Sequence, residues 1–104
     1  MFARVTTFGG DPEALEQAAR TFEEQMIPWM REATGFRAWV VLLDRAHERS
    51  LGITFWTSEE AMRDSDASGI SLRDAVARSV GNEVLAVDFY EVVAAEGPSL
   101  DELR

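Results

Sequence analysis

Trp56 ends the run Leu51-Gly52-Ile53-Thr54-Phe55-Trp56-Thr57, just before the helix signal Ser58-Glu59-Glu60-Ala61-Met62. A strand-to-helix junction lies at the mouth of whatever the fold encloses. An indole there can stack on a flat organic molecule and donate through its N–H, or it can simply pack where sheet meets helix. Tyr90, in the last apolar run, either packs with its hydroxyl satisfied at a sheet edge or donates to a bound oxygen. His47 is the only histidine and sits in the polar turn Asp44-Arg45-Ala46-His47-Glu48-Arg49, where an exposed loop residue is expected. Asp64 and Asp66 are two apart and so do not share a helical face. Cysteine is absent, which removes thiolate nucleophiles, disulfides and Cys-ligated metals. No Ser-His-Asp set and no phosphate-cradling glycine loop is present, and no metal site is expected.

The elements that must position these residues follow from the spacing. Gly35 to Asp44 and Leu51 to Thr57 read as the strands of a β-hairpin whose loop is Arg45 to Ser50. Thr57 and Glu60 have capping-box spacing for the helix that follows. Phe2 to Phe8 is a first strand, ended by Gly9-Gly10. Asp11-Pro12-Glu13 then supplies an N-cap, a first-turn proline and a first-turn acid. Leu15, Ala18, Ala19, Phe22, Met26, Trp29 and Met30 recur at helical spacing, with Pro28 expected to kink or interrupt the helix. The second helical region opens at Thr57 or Ser58, breaks at Ser68-Gly69 and restarts from Ser71 to a terminating Gly81. Val84 to Val93 is the last strand. The reading is one domain over residues 1–93, with a tail over 94–104 in which Ser99 and Glu102 can cap a final turn.

Charge narrows the partners. The net charge is −9 and every basic residue is arginine, which argues against nucleic acid and against an anionic membrane surface. No apolar run is long enough to span a bilayer. The start of the chain lacks the charged-then-apolar pattern of a signal peptide, so a cytoplasmic protein is expected.

The order β-α-β-β-α-β is the ferredoxin-like split, an α+β fold with a four-stranded antiparallel sheet. Two helices cover one sheet face, and the other should be polar if water meets it. It is not. Trp39 to Leu43 is an unbroken apolar run, and Leu51, Ile53 and Phe55 point away from Trp56. In the last strand Leu85, Val87 and Phe89 take one face, with Val84, Ala86, Tyr90 and Val92 on the other. A second copy packed sheet to sheet would cover the remaining face, burying roughly 2,000 Å² as obligate dimers do. A homodimer is expected.

The Gly35-Phe36 opening, the Val-Val-Leu-Leu-Asp strand, the Ile53-Thr54-Phe55-Trp56-Thr57-Ser58-Glu59-Glu60-Ala61 junction and the Asp88-Phe89-Tyr90-Glu91-Val92 ending resemble the dimeric α/β-barrel superfamily. More narrowly, they are similar to its antibiotic-biosynthesis-monooxygenase-like branch, over Phe2 to Val93. The resemblance implies a cofactor-independent monooxygenase acting on a small aromatic, polyketide-like substrate. The alternative is a homodimer that binds a small apolar ligand without turnover, or has a structural or regulatory role. Trp56 matches the junction tryptophan of the quinone-forming members, and Arg73, in Leu72-Arg73-Asp74, resembles their later helical arginine. Gly52 and Met62 stand where those enzymes carry an asparagine and a tyrosine. In an oxygenase of this kind the candidate catalytic residues, as donors to a developing oxyanion, are Trp56, Arg73 and Tyr90. Trp29, Met62 and Met26 are its expected substrate-pocket residues. No cofactor is implied, since the haem-degrading members need an axial histidine on the second helix and this chain has none there.

Overall fold

The computed structural model describes residues 1–65 and 81–97. Its elements are β1 (Phe2–Gly9), α1 (Pro12–Gln25), α2 (Ile27–Met30), β2 (Phe36–Asp44), β3 (Arg49–Trp56), α3 (helical residues 59–65) and β4 (Glu83–Glu91). The strands form one antiparallel sheet in the order β2-β3-β1-β4. With α2 counted as a broken continuation of α1, this is the β-α-β-β-α-β arrangement. Arg73, the Ser68-Gly69 break, the restart at Ser71 and the Ser99–Glu102 turn lie outside the described residues.

Local chemistry sets the element ends. The Asp11 carboxylate accepts from the Glu13 amide at 3.1 Å, and Pro12 opens α1. Pro28 has no N–H to give to the Glu24 carbonyl, so α1 stops at Gln25 and the chain restarts as α2. Gly35 has φ +84°, and a Cβ there would stand 2.6 Å from the Ala61 Cβ and 2.8 Å from the Thr57 hydroxyl oxygen. Only glycine fits. Its carbonyl accepts from the Thr57 amide at 2.8 Å, pinning the start of β2 to the β3–α3 junction.

Three sequence expectations are corrected. The α3 cap is Ser58, whose hydroxyl accepts from the Ala61 amide at 3.1 Å, in place of the Thr57–Glu60 box. The hairpin turn is shorter than Arg45 to Ser50, because Arg49 already pairs with Asp44 and Ser50 with Leu43. In β4 an extra residue bulges out: Phe8 pairs with Val84 but Thr7 with Ala86. The bulge moves Val84 to the face of Val87 and Phe89, while Leu85 lies over Gly9.

In the tight turn the Asp44 carboxylate accepts from the His47 amide at 3.2 Å and lies 2.8 Å from its Nδ1. These contacts hold the Asp44 carboxyl below the usual range, the side-chain hydrogen bond to His47 contributing most. The Arg45 guanidinium donates to Glu16 at 2.8 Å, tying α1 to the hairpin, and this bond lowers the Glu16 carboxyl as well. A lowered carboxyl favours the fold above its ordinary pKa, and that contribution disappears as pH falls through the lowered value. Both groups are solvent-exposed. Arg45→Ala should therefore raise the Glu16 midpoint in an NMR titration while leaving the melting temperature nearly unchanged. A clear drop in melting temperature would show that the bridge organises more than the turn.

The helices lie on the sheet face carrying Arg4, Thr6, Thr54 and Trp56. At one end of it Ile27, Met30, Trp56 and Met62 form a tightly packed cluster, with the Phe36 and Trp56 rings inclined at 70° and their centroids 5.5 Å apart. The opposite face presents Val5, Val40, Leu42, Ile53, Phe55 and Tyr90, with no described element over it. Among the described residues no helix is long and apolar enough to cross a membrane.

Candidate ligand pocket

Side-chain size decides where the space between α1 and the sheet stays open. α1 presents Ala18 and Ala19 to the sheet, flanked by Leu15 and Phe22. Facing them are equally small groups: Thr6 on β1 and Ser50, Gly52 and Thr54 on β3. Thr6 and Gly52 are direct cross-strand partners, as are Arg4 and Thr54. Short side chains on both walls cannot meet, and an open cleft remains, about 570 Å³ with the solvent at its mouth included. Phe8, Trp39 and Val41 complete the apolar wall, and Phe22 stacks on Trp39 with centroids 5.4 Å apart.

The polar groups are concentrated on the sheet side. Arg4, Thr6, Ser50 and Thr54 are all buried and all line the cavity. The Arg4 guanidinium donates to the Ser65 hydroxyl at 3.0 Å and to the Met62 carbonyl at 3.4 Å, and it lies 5.7 Å from the Trp56 ring centroid. An arginine held this way is a fixed group at one corner of the pocket, its guanidinium against the Trp56 ring. The Trp56 indole N–H donates to the Thr54 hydroxyl oxygen at 2.9 Å. Such a lining can hold a flat apolar body while a few donors orient an oxygen on its edge.

The residues expected from the sequence are dispersed. Trp56 is fully buried in the packed cluster and does not line the cavity; its N–H reaches the cavity only through Thr54. Met62 belongs to the same cluster and Met26 is buried beside α2, both away from the cavity lining. Trp29 is 45% exposed at the surface of α2. Tyr90 is 56% exposed and pairs with Ala3 on the face opposite the cavity. Gly52 does line the cavity, where a Cβ would approach the Phe8 ring to 3.2 Å. Arg73 falls outside the described residues. Sequence reasoning singles out none of Arg4, Thr6, Ser50 and Thr54. The available signal was their alternation, polar at every second position on strands whose inward face a helix should cover.

The sequence matches no protein-family model and no curated protein. Solved structures do match. A monooxygenase from the gene ActVA-Orf6 of Streptomyces coelicolor, in complex with nanaomycin D, has a TM-score of 0.73 at 23% identity, covering 94% of this chain and 92% of that one. The heme-degrader MhuD from Mycobacterium tuberculosis, with two hemes in its active site, has a TM-score of 0.66 at 18% identity, over 93% and 100% of the two chains. SnoaB, a cofactor-independent oxygenase from Streptomyces nogalater, has a TM-score of 0.61 at 18% identity, over 92% and 94%. The agreement spans nearly the whole length of each chain at identities that speak for backbone shape alone. The protein therefore has the ferredoxin-like fold that these solved structures share.

Proposed function

We propose that this protein is an antibiotic-biosynthesis-monooxygenase-like homodimer whose cavity under α1 takes a small planar aromatic, polyketide-like molecule and oxygenates it without a cofactor. The observation that carries the reading is the cavity itself, held open by Ala18, Ala19, Thr6 and Gly52 and edged by buried donors. A domain of 104 residues has little core to spare, and leaving its centre unfilled forgoes stabilisation that larger side chains would supply. Two fold neighbours support the ligand class: one holds nanaomycin D and another is a cofactor-independent oxygenase.

Oxygenation without a metal requires a substrate that forms a stabilised carbanion. In the overall reaction a ring CH₂ and O₂ give a ring carbonyl and water. The protein's part is to exclude water and to place donors at the developing oxyanion. The second reading, binding without turnover, is favoured by one observation: Trp56 and Met62 are sealed in the core cluster and do not line the cavity.

Titration with anthrone, followed by oxygen uptake, separates the two. Saturable binding with oxygen consumption supports the oxygenase, and binding without consumption supports the binder. No binding by any flat aromatic defeats both. Ala18→Leu should fill the cavity and weaken anthrone binding by about tenfold or more, with the melting temperature held or raised. Unchanged affinity would place the ligand elsewhere.

A further inference from the structure

The hydrogen bond between Trp56 and Thr54 has a direction, and that direction fixes what the cavity can recognise. An indole N–H can only donate, so in the 2.9 Å contact the Thr54 hydroxyl oxygen is the acceptor. Its own hydrogen must then find a different acceptor, and among the described residues the Thr54 hydroxyl makes no second hydrogen bond. Thr54 is 5% exposed and lines the cavity, so little bulk water reaches it. Its cross-strand partner Arg4 lines the same part of the cavity. Hydrogen bonds in series polarise one another, and accepting from Trp56 strengthens Thr54 as a donor.

We infer that Thr54 is the specificity-determining donor of this pocket, selecting planar aromatics that carry an acceptor oxygen on the edge directed at β3, with Trp56 as the residue that positions its hydroxyl. The inference rests on the pocket reading above. It gives Trp56 a part in recognition that needs no contact with the ligand. A bare hydrocarbon of the same shape would bury an unpaired Thr54 hydroxyl and bind more weakly.

The test compares naphthalene with 2-naphthol by calorimetric titration of the full chain. Wild type should bind 2-naphthol several-fold more tightly. Thr54→Val keeps the shape and removes the hydroxyl, and should lose about tenfold in 2-naphthol affinity with naphthalene held or improved. Thr54→Ser should restore the preference. Trp56→Phe leaves an aromatic ring in the core without the N–H, and should lower the 2-naphthol preference without lowering naphthalene affinity, a split that a purely structural role would not produce. Equal losses for both ligands, or no loss in Thr54→Val, would overturn the inference while leaving the pocket in place. If wild type binds neither ligand, the pocket reading fails and this inference falls with it.

Discussion

Trp56→Ala is expected to destabilise the protein by about 3–5 kcal/mol, the range for emptying a buried large aromatic site. Trp56 is 0% exposed, and the residues around it, Ile27, Met30 and Met62, are themselves buried. They come from α2 and α3, so collapse around an alanine would have to move two separately anchored elements. The indole also meets the Phe36 ring, the Arg4 guanidinium and the Thr54 hydroxyl, all of which the substitution strips of a partner. Against a total stability of about 5–15 kcal/mol, this loss removes a large fraction of the margin that keeps the chain folded. Denaturant unfolding followed by circular dichroism measures it. Trp29→Ala is the control: a side chain 45% exposed on α2 should cost about 1 kcal/mol or less. Similar losses for the two variants would mean that the cluster around Trp56 is not the anchor of the fold.

A charge on the uncovered sheet face should act on assembly and leave the single chain folded. Ile53 lies at the middle of that face, paired with Val5 on one side and Val40 on the other. Around it stand Leu42, Phe55 and Tyr90; Leu42 is 51% and Tyr90 56% exposed in the single chain. An apolar sheet face of this extent is the kind of surface that a second copy covers. Ile53→Glu would bury an unpaired carboxylate in such an interface, which costs several kcal/mol, or about a hundredfold or more in the dimer dissociation constant. In an isolated chain the same side chain meets water and costs little. Sedimentation velocity at micromolar concentration should show wild type as a dimer and Ile53→Glu as a folded monomer. A monomeric wild type would refute the homodimer, and a variant that stays dimeric would put the interface on another surface.

The element order was legible in the sequence because its signals are local. Asp11-Pro12 starts α1, Pro28 interrupts it, Gly35 ends the segment and takes a positive φ, and alternation marks Leu51, Ile53 and Phe55 against Trp56. Each depends on backbone geometry within a few residues, which residue type controls directly. The apolar character of the uncovered sheet face was legible for the same reason, since a period of two assigns faces without any knowledge of partners. The β4 bulge was not, because the extra residue, Leu85 between the partners of Phe8 and Thr7, reverses the face of Val84 and leaves no mark in the β4 sequence alone.

The site depended on contacts that no local signal encodes. Trp56 was correctly placed at the strand-to-helix junction, yet whether it faces a ligand or the core depends on where α2 and α3 come to rest. They bring Ile27, Met30 and Met62 around it. The cavity instead opens one step along the sheet, where Ala18 and Ala19 of α1 happen to oppose Thr6 and Gly52 across strands distant in sequence. A void is a property of two surfaces and the distance between them. Residue type fixes the shape of each surface, and only the tertiary packing fixes the distance.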